Sequence, residues 1–92
     1  MATMMKTDGS RMEVNPSDGK MFFSLEEAQK MVGGYVQVVP LGDGNILVVN
    51  EDGKPMGLPV NREATSIMHR HYPMAVNDCI VGDVLMCMNN EF

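Results

Sequence analysis

The run Ile46-Leu47-Val48-Val49 offers no polar face to solvent, and turn-rich segments bound it on both sides. Pro40-Leu41-Gly42-Asp43-Gly44-Asn45 precedes it, and Asn50-Glu51-Asp52-Gly53 follows it. An apolar run this short between breakers reads as a strand. A strand that is apolar on both faces must be covered on both faces. The chain therefore requires a sheet with this strand inside it, a helix over one side and a second element over the other.

Two helices are available for that cover. Ser24-Leu25-Glu26-Glu27 is a capping box, and Leu25, Ala28, Met31 and Val32 share one stripe of the helix it opens. Gly33-Gly34 stops that helix, with Gly33 the left-handed residue. Its two turns need a sheet to pack on, because isolated helices so short are unstable. Asn61 is the N-cap of a second helix over Arg62 to His71, with Ala64, Ile67, Met68 and His71 on its apolar side. Tyr72-Pro73 ends it, since the residue before proline avoids the α region.

The remaining strands follow from turn chemistry. Arg11 to Val14 and Lys20 to Phe23 flank Asn15-Pro16-Ser17-Asp18-Gly19 and read as a hairpin. Tyr35 to Val39 precedes the apolar strand. Asp52-Gly53 reads as a hairpin dipeptide, with Lys54 to Leu58 returning as an edge piece that tolerates Pro55. Ile80-Val81 and Val84 to Met88 are the last strand segments. Residues 1–10 lack a period and are expected to be a flexible tail, which leaves residues 11–92 as a single domain. The expected fold class is α+β: a small, mostly antiparallel sheet with two short helices, able to curl into a partial barrel.

Size and charge narrow the function classes. Ninety-two residues bury roughly 60–68% of their unfolded surface, enough for one core with a thin margin. Seven basic and twelve acidic residues give a formal charge of −5, a poor basis for binding nucleic acid. No apolar run reaches the roughly 18–20 residues of a membrane span, and the first residues carry no signal-peptide core. Cytoplasmic localisation is expected, with Cys79 and Cys87 as free thiols. Methionine supplies 11 residues, which suits flexible core filling or an adaptable contact surface.

Four blocks point to a family: Val32-Gly33-Gly34-Tyr35-Val36, Val49-Asn50-Glu51-Asp52-Gly53, Leu58-Pro59-Val60-Asn61-Arg62-Glu63-Ala64-Thr65 and Ile80-Val81-Gly82-Asp83-Val84-Leu85. In these the chain resembles domain-of-unknown-function family three-eight-four-six, found in bacteria, bacteriophages and other mobile elements. The resemblance implies a small phage- or prophage-type protein of the host cytoplasm, and it brings no catalytic residue with it.

Catalytic and metal chemistry find little footing in the residues. His69-x-His71 would aim two rings roughly 200° apart on a helix, and Cys79 and Cys87 lack the short paired spacing of zinc ligands. Asp43-Gly44-Asn45 and Asp52-Gly53 lack the spaced acidic series of a calcium loop. Cys87 lies in an apolar strand, and Asp78 beside Cys79 disfavours a thiolate. No glycine-rich phosphate loop occurs. The expectation is no enzyme, no metal and no cofactor.

The leading expectation is therefore ligand capture: a non-enzymatic accessory protein that sequesters a small molecule, such as a nucleotide signal of host immunity. Tyr35 would stack, Arg62 and Arg70 would meet phosphate, and Asn50 and Asn61 would meet base or sugar edges. Ser66 and His69 share the Arg62 helix face. The apolar strand and the methionines favour a homo-oligomer. The alternative is an acidic inhibitor or adaptor of a host protein, possessing a nucleic-acid-like face built from Glu13, Asp18, Glu26, Glu27, Asp43, Glu51 and Asp52. A structural accessory module is the third. Convergence of Tyr35, Arg62 and Arg70 in one cleft favours the first, and clustering of the carboxylates favours the second.

Overall fold

The computed structural model describes residues 2–17 and 19–92; Met1 and Asp18 lie outside them. Among the described residues five strands form one sheet in the order β2-β1-β5-β4-β3. They are β1 (Ala2–Met5), β2 (Arg11–Val14), β3 (Val36–Pro40), β4 (Asn45–Asn50) and β5 (Val84–Met88). Every pairing is antiparallel. Helix α1 (Leu25–Val32) joins β2 to β3, and α2 (Arg62–His71) lies between β4 and β5 in the chain. The fold is α+β, as expected, and the sheet stays open, with β2 and β3 as its edges.

The double cover required by the apolar run is present. Ile46 and Val48 of β4 face α1, where Ala28 and Val32 pack on them with Ala2, Met4, Leu85 and Cys87. Leu47 and Val49 face the other way and meet Ala64, Ile67 and Met68 of α2, together with Met5 and Val84. Each fully buried aliphatic side chain of this kind contributes roughly 1.5–3 kcal/mol. The alternation of β4 thus splits one strand between two cores, with one helix over each.

Both helices begin where side-chain chemistry places them. Ser24 Oγ accepts from the Glu27 N–H at 3.1 Å, and Glu27 Oε1 accepts from the Ser24 N–H at 3.1 Å. Gly33 ends α1 at φ 83°, the left-handed region. Asn61 Oδ1 accepts from the Ala64 N–H at 3.1 Å and caps α2.

Four expectations are corrected. The N-terminal residues are not a flexible tail: β1 is buried between β2 and β5, with Met4 and Met5 almost wholly enclosed. Arg11–Val14 pairs with β1 across the Lys6–Ser10 turn, not with Lys20–Phe23. The latter segment is irregular, and its Phe23 is buried under α1. The turn expected at Asn15–Gly19 includes Asp18, outside the described residues. Residues 54–58 form turns rather than an edge strand, closed by the Leu58 N–H to the Gly53 carbonyl at 3.0 Å. Gly53 is also not a positive-φ hairpin residue. A Cβ there would stand 2.7 Å from Val81 Cγ2, so close packing of the turn against Val81 is what demands glycine. No helix among the described residues is long and apolar enough to cross a membrane.

Candidate functional site

The seven residues expected to bind ligand do not converge. Asn61 is fully enclosed (0% exposed). Its amide nitrogen donates to the Met5 carbonyl at 2.8 Å and to the Gly82 carbonyl at 2.9 Å, while its oxygen caps α2. Its two N–H donors tie β1 to Gly82, two residues before β5, and its oxygen holds the start of α2 to both. Asn50 is likewise buried. It donates to the Val32 carbonyl at 3.1 Å, accepts from the Asp52 N–H at 2.8 Å, and so clamps the end of α1 to the turn after β4. Both asparagines are structural staples rather than ligand contacts.

The other five lie apart. Tyr35 is exposed (69%) just before β3. Arg62 borders a recess of ≈ 290 Å³ formed with Lys6, Thr7, Asp8, Gly9 and Glu63, where two acids balance two bases. Ser66 and Arg70 are exposed on α2. The His69 Nε2 lies 2.8 Å from the Asp78 carbonyl oxygen. A carbonyl only accepts, so Nε2 carries the proton and His69 braces the Asp78 segment. The nucleotide constellation of Tyr35, Arg62 and Arg70 is therefore not assembled in one cleft.

The carboxylates are scattered too. Asp43 lies at one end of β4 and Glu51 and Asp52 at the other. Glu63 pairs with Arg11, Asp78 with Lys54, and Asp83 with Lys6 at 3.6 Å. Asp18 lies outside the described residues. No group of His, Cys, Asp and Glu side chains among the described residues is disposed to hold a metal ion.

A different cleft, of ≈ 260 Å³, gathers polar groups over an apolar floor. Val39 and Val49 of the sheet and Met68 of α2 form the floor, with Ile80 above them. Gln37, Glu51, Lys54, Asp78 and Cys79 bring polar atoms to the rim. Four segments meet here: β3, the turn after β4, α2, and the extended run from Asp78 to Val81.

Each wall has a physical support. Thr65 Oγ donates to the Ile80 carbonyl at 3.3 Å and accepts from the Ile80 N–H at 2.9 Å, which fastens the extended run to α2. Asp78 accepts from the Cys79 N–H at 2.8 Å and pairs with Lys54, closing one end of the cleft. The Lys54 partner holds the Asp78 carboxyl below its usual range, with the Cys79 N–H adding to the effect. Asp78 in turn raises the Lys54 ammonium. The pair is exposed, so its worth to stability is small. It acts as a charged latch across the mouth.

Among the described residues lining the cleft, only Asn50 was expected to bind ligand; Gln37, Glu51, Lys54 and Asp78 were not. Glu51 directly follows Asn50 in the chain. Gln37 carried a usable signal, a polar residue amid the apolar stretch Val36 to Val39. Lys54 and Asp78 carried none, because their partnership spans distant parts of the chain.

Across residues 1–92 the chain matches the family described as Domain of unknown function (DUF3846). The chain belongs to that family. The match begins at the first residue, in keeping with β1 as part of the DUF3846 domain. No curated protein and no solved structure matches this DUF3846 chain.

Proposed function

We propose that this DUF3846 protein is a non-catalytic binder that captures a small, flat, uncharged heterocycle in the cleft between β3, α2 and the Asp78–Val81 run. One observation carries this: four segments converge on an apolar floor ringed by hydrogen-bonding groups, the usual make-up of a small-molecule site. A ring of nucleobase size suits the floor of Val39, Val49 and Met68. The Gln37 amide and the Glu51 carboxylate supply donors and acceptors at its edge.

The charge balance favours a nucleobase or nucleoside over a nucleotide. Among the described residues Lys54 is the one cation lining the cleft, and Asp78 already neutralises it. Glu51 beside it repels a phosphate. Two of the groups capable of nucleophilic chemistry, His69 and Cys87, are committed elsewhere, and Cys79 brings a lone thiol to the rim. The proton on His69 Nε2 faces the Asp78 carbonyl, and Cys87 is enclosed in the core. Sequestration rather than turnover is the activity this supports.

A thermal-shift series over nucleobases, nucleosides and their phosphates tests it. Ligand at 100 times its Kd adds roughly 2.7 kcal/mol to the native state. The expected pattern is stabilisation by a base or nucleoside, weakened by Glu51→Ala and unchanged by Arg62→Ala. No shift from any base or nucleoside, or a shift abolished by Arg62→Ala, overturns the assignment.

A further inference from the structure

The two edges of the sheet are built differently. The β2 edge carries Arg11 and Glu13, charges that discourage another strand from adding to it. The β3 edge reads Val36-Gln37-Val38-Val39-Pro40, uncharged throughout and β-prone. Val38 in it is 40% exposed, and Tyr35 just before it is more exposed still.

The ladder to β4 fixes which backbone groups this edge presents. Leu41 donates to the Asn45 carbonyl at 3.0 Å, and Glu51 donates to the Tyr35 carbonyl at 2.8 Å. Those pairs follow the same register as Gln37 with Val49 and Val39 with Leu47. In an antiparallel ladder bonded pairs alternate, so the odd-numbered residues bond β4. The N–H and C=O groups of Val36 and Val38 therefore point outward, along with the C=O of Pro40. Pro40 has no N–H, and its carbonyl already accepts from the Tyr72 hydroxyl. On the other flank, the Gly34 N–H is taken by the Gln29 carbonyl at 3.1 Å.

We infer that the β3 edge is a homodimer interface in which two copies pair antiparallel about a two-fold axis at Gln37. This follows from the edge alone and does not rest on the ligand reading. In that register Val36 of one copy opposes Val38 of the partner subunit, and the reverse. The outward groups of both copies then close into four hydrogen bonds with none left over. A register centred on Val38 sets Val36 against Pro40, which cannot donate and whose acceptor is engaged. A register centred on Val36 sets Val38 against Gly34, whose donor is used. The sequence and the Tyr72 hydroxyl thus select one register.

The side chains agree with it. Val36 and Val38 stack across the joint on the α1 face, covering the exposed Val38. Tyr35 lies over Val39 of the partner subunit on the opposite face, an aromatic–β-branched pair of the kind that favours sheet pairing. No charge on either strand opposes a like charge, so the net −5 does not act within the joint itself. Gln37 lines the cleft, so the two clefts come side by side at the axis. A five-residue joint is small against the roughly 1,200–2,000 Å² of a standard interface, so the dimer is concentration-dependent.

Sedimentation and covalent trapping test this together. The wild-type mass is expected to rise from 10.1 kDa toward twice that value as concentration increases. Val38→Lys puts a charge into the joint and is expected to hold the protein at monomer mass with an unchanged circular dichroism spectrum. In a Cys79→Ser background, Gln37→Cys is expected to give a disulfide-linked dimer under mild oxidant. Residues facing each other as a non-bonded pair sit about 4.5 Å apart at Cα, within disulfide reach. Monomer mass at every concentration up to ~1 mM without a Gln37→Cys cross-link overturns the inference. So does a dimer that survives Val38→Lys and fails to cross-link at position 37, which locates the interface elsewhere. If Val38→Lys does not fold, the cross-link alone decides.

Discussion

Replacing Asn61 separates a cap from a staple. The side chain makes one cap bond to the Ala64 N–H and two buried bonds to the Met5 and Gly82 carbonyls. Loss of an N-cap costs about 1 kcal/mol. Each buried carbonyl left without this donor costs about 1–2 kcal/mol. Asn61→Ala should therefore cost about 3–5 kcal/mol, against a total of about 5–14 kcal/mol for a chain this long. Asn61→Ser keeps a cap acceptor but cannot reach both carbonyls, so it should fall between alanine and wild type. Urea unfolding followed by far-UV circular dichroism reads this directly. With a slope of about 1–3 kcal/mol/M, the alanine midpoint should drop by roughly 2 M. A loss under ~1 kcal/mol for alanine, or a serine variant as stable as wild type, would refute the staple.

Three other outcomes follow from particular contacts. Gly53→Ala should cost about 1–3 kcal/mol through overpacking, and Val81→Ala in the same chain should recover part of it, because the clash is with Val81 Cγ2; thermal melting of the single and double variants checks both. The Glu27 carboxyl titrates below its ordinary value, first because it accepts the Ser24 N–H and further because it accepts from Ser17. Its contribution is therefore complete above the unfolded-state value, roughly 4.3, and is lost as pH falls through the folded value; Glu27→Gln should flatten that acid limb in a stability–pH profile, and an unchanged slope would count against the bond. Burial pushes the Cys87 thiol up to about 11, so a thiol reagent at neutral pH should label Cys79 in the native protein and Cys87 only on unfolding, read by mass spectrometry.

Local signals in the sequence carried over well. The capping box at Ser24, the left-handed Gly33 and the Asn61 cap each depend on residues within a turn of one another, and all three formed. The double cover of Ile46 to Val49 was legible because burial on both faces leaves no room for polar residues. What escaped is non-local. Ala2–Met5 becomes a strand because β5, from the far end of the chain, supplies its partner, and no period in so short a segment announces that. The same distance hid the site. Gln37, Glu51 and Cys79 meet only after β3, β4 and the Asp78–Val81 run are folded together. Asn50 and Asn61 looked like recognition residues because amides serve ligands and buried carbonyls equally well; only their burial separates the two uses.

The most direct test of the central claim maps a binding base or nucleoside onto the backbone by amide chemical-shift perturbation in ¹⁵N-labelled protein. Capture in the cleft predicts progressive, saturable shifts at Gln37, Glu51, Lys54, Cys79 and Ile80, with Arg62, Ser66 and Arg70 unmoved. Shifts confined to Arg62, Ser66 and Arg70, or no saturable shift for any base or nucleoside, would contradict it.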